Sequence, residues 1–326
     1  MNVDVVVHRR CIIRSDEVQV ECPPDTCLRE RVRDRIHGHD IIDWAAHDFE
    51  SLLARLPVVR LQGGSTARMT DGAIYVASLP TMVHLHARCR TSHVLVAHLN
   101  ENWGAFSTTV PNRTAAWGDW SSHMIAAGCT PDMVQSYLDD PAVKAVVTTQ
   151  HTAVSHPTIL SIPVGVTQSR AILEHLAQAD GAKTQDLLIN NSGWEHRQSI
   201  NERVIANFGG QLRNTYGLRL SEYFDAIARS RFVLCPSGMG WDSHRLWETL
   251  LLGSIPIVEH SEGWHAVLDD LPALSVTHFD QVTPDLLASA YPAILSQCDR
   301  FDYGKLTTAW WVSRIRRLLD NPVPFG

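Results

Sequence analysis

The chain has 326 residues, of which 44% are hydrophobic and 19% charged, with a formal charge of −7. A length beyond about 250 to 300 residues makes two domains the default, and this composition excludes a disordered or low-complexity chain. A net negative charge provides no basic field for gripping a polyphosphate backbone, so nucleic acid is not an expected partner.

The opening residues, MNVDVVVHRRCIIRSDEVQV, alternate as a strand or hairpin would. They lack a secretory leader's small-residue end and anything near the ~20 apolar residues of a membrane span. The expectation is a soluble, cytoplasmic protein with no membrane span. The seven cysteines (Cys11, Cys22, Cys27, Cys89, Cys129, Cys235 and Cys298) are scattered and contain no CxxC pair. That pattern fits reduced thiols better than a disulfide framework or a zinc site. DIIDWAAHDFESLLARL has helical spacing, and GAIYVAS and HVLVAHL are short runs suited to buried strands. Between and around them lie His84, His86, His93 and His98. The spacing of His84 and His86 suits one strand face, but no third ligand or supporting shell is evident. Hydrogen-bonded histidines around a buried strand are expected, and no metal.

TAAWGDWSSHMIAAG reads as a helix or a loop with apolar anchors, AVKAVVTTQ as a strand, and TILSIPVGV as an edge or exit strand because of Pro163. The polar stretch EHLAQADGAKTQ marks a domain junction. Beyond it DLLINNS, RFVLCPS, SIPIVEH and ALSVTH read as strands. EHRQSINERVIANFG (closed by Gly209), LSEYFDAIARS, SHRLWETLLLG (ended by Gly253), EGWHAVLDDL and TPDLLASAYPAIL read as helices, the last with Thr283 as N-cap and Pro284 at its first position. Such alternation predicts a parallel sheet covered by helices on both faces, a doubly wound unit.

In an open parallel sheet, ligands sit at the carboxyl ends of the strands. CPSGMGWDS is such a turn: Gly238 and Gly240 can take positive φ, and Asp242 or Ser243 can cap the helix that follows. A helix N-terminus favours phosphate. Arg245 and Glu248 stand three apart on one helix face. A guanidinium in a first helical turn opposes the dipole, which suits an anion-clasping role better than a stabilising one. Glu248, one turn on, can accept from ribose hydroxyls. Without a ligand the two would form an i,i+3 ion pair. The turn is neither a GxGxxG fingerprint nor a P-loop, which leaves a dehydrogenase a weaker reading.

FVLCPSGMGWDSHRLWETLLLGSIPIV resembles the nucleotide-sugar motif of exostosin-like (GT47-type) glycosyltransferases, with its Pro-x-Gly-x-Gly turn, Arg-x-x-Glu helix and GSIPIV strand. VKAVVTTQHTAVSHPTILSIPVGV, DLLINNSGWEHR and KLTTAWWVSRI extend the resemblance over residues 90–316. It implies an α/β protein of GT-B fold, two facing Rossmann-like domains with mostly parallel sheets. Residues 1–178 would form the acceptor side, 179–302 the nucleotide-sugar side, and 303–326 a helix packing back toward the N-terminal domain. The implied activity moves a sugar from a nucleoside diphosphate sugar, such as UDP-xylose or another UDP-sugar, to a carbohydrate hydroxyl of a glycan or glycoside. It would invert configuration and need no metal or other cofactor.

The resemblance also implies site roles. Arg245 would bind the donor phosphates, Glu248 the ribose, and the turn with Ser237, Gly238, Gly240, Asp242, Ser243 and His244 the diphosphate. Asn191, Ser192 and Arg197 would face the same cleft. Where the family often has arginine this chain has Ser237, and Arg197 or Lys183 could supply the missing charge. Transfer passes through an oxocarbenium-like state, so Arg245 would meet charge growing on the leaving diphosphate. Glu101, just past a buried strand, is the candidate base, with His98 and His151 in reserve. Trp103, Trp117, Trp120 and Trp194 fall in loops or at element edges, and Trp103 is the candidate acceptor platform. A nucleotide-sugar-binding protein without turnover is the alternative.

Overall fold

The computed structural model of the chain describes residues 25–38, 40–43, 50–61, 69–97, 128–148, 156–179, 181–238, 242–260 and 265–320. Two sheets organise it, and every strand pairing within them is parallel. The first holds β1 (Val58–Arg60), β2 (Ala73–Ala77), β3 (His93–Ala97), β4 (Val143–Thr148) and β5 (Ile159–Ser161), in that order. The second holds β6 (Gln185–Leu188), β7 (Ser230–Leu234), β8 (Ile255–Glu259) and β9 (Leu274–Val276), also in chain order. The α/β class with two parallel sheets follows directly. The second sheet's order does not reverse, unlike a doubly wound one, so its site is placed by strand ends alone.

Continuous apolar runs form these strands because both faces are buried. In β2, Ile74 and Val76 point into a core shared with the second sheet, while Tyr75 and Ala77 join a smaller cluster with Leu95 and Val146. Helices α2 (Glu50–Leu53), α3 (Leu79–Arg88) and α4 (Pro131–Asp139) accompany the first sheet, and Ser78 and Thr130 cap α3 and α4 through their hydroxyls. With the second sheet come α6 (Glu195–Asn207), α7 (Leu220–Arg229), α8 (His244–Leu251) and α9 (Pro284–Leu295). Thr283 caps α9 by accepting from the Leu286 N–H at 3.2 Å.

Three helices cross between the two bodies: α1 (Cys27–Ile36), α5 (Ser169–Gln178) and α10 (Thr308–Asp320). Helix α10 packs on α2, β3 and β4. Helix α1 goes the other way, onto α5 and the 3₁₀ turn Tyr303–Leu306. Its Arg29 is 2% exposed and donates to Gly181 O at 2.9 Å and to Ala228 O, at the end of α7. Arg33 donates to Leu176 O at 2.8 Å and to Ala179 O, at the end of α5. Guanidiniums thus satisfy helix C-terminal carbonyls, the favourable end for a cation. Gly253 has φ +70°, and a Cβ there would lie 2.5 Å from Arg29 Cα, so only glycine lets α1 approach.

Several expectations are corrected. Cys27 and Cys298 form a disulfide, with Cα atoms 6.6 Å apart and a sequence separation of 271. The pair meets only once α1 has crossed to the second body, which no local spacing signals, so the expectation of reduced thiols fails for these two. Cys89, Cys129 and Cys235 are free. EGWHAVLDDL yields only a 3₁₀ turn at His265–Val267 among its described residues. In DIIDWAAHDFESLLARL the described helix is α2 alone, and Ile41 bridges to Thr307. His84 and His86 stand on α3 rather than a strand, because Leu79, Met82, Val83 and His86 make a buried helical face. Their rings, with His93, take protein partners. His86 Nε2 meets Asp140 Oδ2 at 3.1 Å, and His93 Nδ1 donates to Thr91 O while Nε2 accepts from Tyr137 Oη, both at 2.8 Å. Burial lowers His93 to about 4. No described helix is long and apolar enough to cross a membrane.

Candidate functional site

Strands β6 and β7 end side by side, and the residues just beyond them build the site. After β6, Asn190 and Asn191 are 5% and 0% exposed and belong to an amide network. Asn191 Nδ2 donates to Asn201 Oδ1 at 2.7 Å, and its N–H donates to Asn214 Oδ1 at 2.9 Å. This orients Asn191 Oδ1 as an acceptor, and Arg245 Nη1 donates to it. Helix α8 carries Arg245 in its first turn, with Leu246, Trp247 and Leu250 packed into the core.

Arg197, from the first turn of α6, is 8% exposed. Its Nε donates to the Ser237 carbonyl at 3.0 Å, its Nη1 to Ser192 Oγ at 3.0 Å, and its Cζ lies 4.9 Å above the Trp194 ring. Burial first and the charge of Arg245 second lower it to about 10. Arg197 is therefore the residue that brings charge to the place where Ser237 has none. Lys183 is not: it is buried elsewhere, donating to Ala228 O at 3.0 Å and Ser254 Oγ at 2.6 Å. A Cβ on Gly238 would sit 2.9 Å from Arg197 Nη2, the flexible end of that side chain, and Gly238 does not take the positive φ expected of it.

Glu248 is 7% exposed, and its Oε2 accepts from Tyr223 Oη at 2.7 Å. Burial raises its carboxyl, against the pull of that hydrogen bond. Burial and the nearby Glu248 charge push the Tyr223 phenol well up. The expected Arg245–Glu248 ion pair is absent among the described residues, since each side chain has a neutral partner instead. Two guanidiniums thus share a half-enclosed space with neither held in an ion pair, and the Nε of Arg245 is buried without a partner. Guanidiniums placed in this way can take an anionic ligand as partner.

The open space is a cavity of about 490 Å³. Its lining combines the polar Asn190, Arg197, Ser243, His244, Arg245 and Glu248 with Tyr216, Gly217, Leu218, Leu220 and Tyr223. Tyr216, Leu218 and Leu220 are 63%, 37% and 44% exposed, an unusual concentration of open apolar surface at one mouth. The sequence reading missed Tyr223 and this wall. Leu220, Tyr223, Phe224 and Ile227 form the apolar face of α7, and nothing in their spacing separates the two that reach the cavity from the two that fill the core.

The start of α8 is held from below. Asp242 is 3% exposed, and its Oδ2 accepts from the Val164 N–H at 2.7 Å and from Trp247 Nε1–H at 3.0 Å. Burial raises it to about 6. Ser243 occupies the N-cap position without a side-chain capping bond. His244 Nδ1 donates to Gly165 O at 2.8 Å. Asp242 and His244 thereby dock the helix on the segment leaving β5.

Of the expected donor residues, Arg197, Ser243, His244, Arg245 and Glu248 line the cavity. Asn191, Ser192 and Ser237 hold the two arginines, Gly238 lies beside one of them, and Asp242 lies beneath. Glu101, Gly240, His98, His151, Trp103, Trp117 and Trp120 lie outside the described residues. Among those described, no three His, Cys, Asp or Glu side chains are grouped to hold a metal ion.

Residues 196–266 match the family described as RXYLT1 C-terminal domain. The match covers less than a quarter of the chain, and that segment carries Arg197, Ser237, Gly238, Arg245 and Glu248. No curated protein matches the chain in sequence. Among solved structures, one titled "Crystal structure of GtfA/B complex" is similar over 78% of this chain and 58% of its own, at 12% identity and a TM-score of 0.34. The chain therefore spans less than two thirds of that protein's length.

Proposed function

We propose that this protein is a glycosyltransferase that takes its sugar from a nucleoside diphosphate sugar, a UDP-sugar such as UDP-xylose first among them, and passes it to a carbohydrate hydroxyl. The carrying observation is the pair Arg197 and Arg245, without an ion-pair partner among the described residues, beside Glu248 at the carboxyl ends of parallel strands. The match to the RXYLT1 C-terminal domain family supports a glycosyltransferase.

The groups that line the cavity suit such a donor. The guanidiniums meet the diphosphate, Glu248 keeps Oε1 for ribose hydroxyls, and the Tyr216–Leu220 wall takes the base. As the glycosidic bond breaks, negative charge grows on the leaving diphosphate. Arg245, Arg197 and the first N–H groups of α8 stabilise that charge in this reading. In this reading the chain's own cations supply the charge that the leaving group needs, transfer inverts the anomeric centre, and Glu101 is the proton acceptor for the incoming hydroxyl.

The reading is tested by calorimetric titration of UDP, GDP, ADP, CMP and NAD into the wild type and the Arg197→Ala and Glu248→Ala variants. One nucleoside diphosphate should bind the wild type, and each variant should lose about 1.5 to 3 kcal/mol of that binding. Binding of NAD alone, or diphosphate binding unchanged in both variants, overturns it.

A further inference from the structure

His244 lines the cavity beside Arg197 and Arg245. Its Nδ1 sits 2.8 Å from the carbonyl oxygen of Gly165. A carbonyl can only accept, so Nδ1 carries a proton in every state in which that bond exists. Gly165 cannot swing away. Its φ is +73°, the Val164 N–H before it is bound by Asp242, and the Val166 N–H after it donates to Ile42 O at 2.8 Å. The neutral ring therefore has one tautomer, with the lone pair at Nε2. No described residue bonds Nε2, and the residue lines the same space as Arg197 and Arg245.

A lone pair repels a phosphate oxygen, whereas an N–H attracts one. We propose that His244 is a proton-coupled ligand of the donor diphosphate: binding brings one proton from solvent onto Nε2, and the resulting imidazolium donates to a phosphate oxygen. This rests on the cavity being a diphosphate site. The charged and titratable groups that share the cavity or adjoin the ring, among the described residues, are Asp242, Arg245 and Glu248 on its own helix and approach, Arg197 from α6, Tyr216 before α7 and Tyr223 on it, while the segment leaving β5 presents the Gly165 carbonyl. Around the ring stand the guanidiniums of Arg197 and Arg245 and the carboxyl groups of Asp242 and Glu248, and an arriving diphosphate adds negative charge that favours a protonated ring. The same N–H then faces the charge that develops as the diphosphate leaves.

His244→Asn keeps a donor for Gly165 O and removes the titration. The test compares pH profiles of affinity for the tightest binder among UDP, GDP and ADP in the wild type and this variant, so that the ligand's own titration cancels. From pH about 6 to about 8.5 the wild type should weaken about tenfold more than the variant. At pH about 8, titrations in buffers of different ionisation enthalpy should show proton uptake by the wild type, a readout that stands even if the variant does not fold. Diphosphate binding with parallel profiles, or with no proton uptake, overturns the role of His244 alone. Absence of diphosphate binding at any pH removes the donor-site reading and this inference with it.

Discussion

Asp242 gives the sharpest quantitative consequence of the site's construction. Its carboxyl is raised from 3.8 to about 6, chiefly by burial. At about 1.36 kcal/mol per pKa step, that difference makes the ionised form cost about 3 kcal/mol relative to the unfolded chain. The sign follows from proton counts. Between about pH 4 and 6 the folded protein holds a proton that the unfolded chain has released, so this group's contribution is fully present below 3.8 and is lost as pH rises through about 6. Asp242→Asn retains a carbonyl acceptor for the Val164 N–H and the Trp247 indole while removing the charge. At pH 7.5 it should therefore be more stable than the wild type, by up to about 3 kcal/mol, or roughly 5 °C in Tm for a chain of this size. At pH 4 the two should unfold together. Asp242→Ala should instead lose about 1 to 3 kcal/mol by leaving buried donors unsatisfied. Scanning calorimetry across this pH range decides it. A variant Asp242→Asn that is less stable at pH 7.5, or whose gain persists at pH 4, would refute the claim that a buried carboxylate anchors α8.

Gly253→Ala should destabilise by more than about 2 kcal/mol, because the new methyl meets the backbone of α1 at a positive φ, and denaturant titration measures it. Peptide mapping without reductant should recover Cys27 and Cys298 in one linked peptide, and Cys27→Ser should cost about 3 to 5 kcal/mol given the long loop closed. Recovery of both as free thiols would contradict the pairing. Tyr223→Phe should lose about 1.5 to 3 kcal/mol at pH 8, where Glu248 needs its hydrogen bond as an anion, and less at pH 4. An equal loss at both values would mean that the phenol serves packing and not the carboxylate.

Much of the architecture was legible in sequence because fully buried parallel strands must be continuously apolar. AIYVA, HVLVA, SRFVL and IPIVE announce themselves without neighbours to help. The Arg245 to Glu248 spacing was equally local, since one helical turn fixes which residues share a face. What stayed hidden depends on distant partners. Cys27 and Cys298, Gly253 against Arg29, and Val164 against Asp242 are contacts between separate bodies, and sequence spacing carries no trace of them. The same limit explains Arg197 and Lys183. Either could supply a cation, and only the path of β6 and α6 sends one toward Ser237 and buries the other near Ser254. His84 and His86 were misread for another reason: HLHAR fits both a strand alternation and a helical face, and the preceding cap at Ser78 with Pro80 decides for the helix.

The central claim is that Arg197, Arg245 and Glu248 hold a sugar donor whose diphosphate leaves during transfer. Release of nucleoside diphosphate from a panel of UDP-, GDP- and ADP-sugars, with simple glycosides as acceptors, measures this directly. The wild type should release one of these nucleotides, and Arg245→Ala should be slower by about 100-fold or more, the loss expected when a group aimed at developing charge is removed. A nucleotide sugar that binds tightly yet is released unchanged, at a rate no different in Arg245→Ala, would contradict the account and leave a binding protein in place of an enzyme.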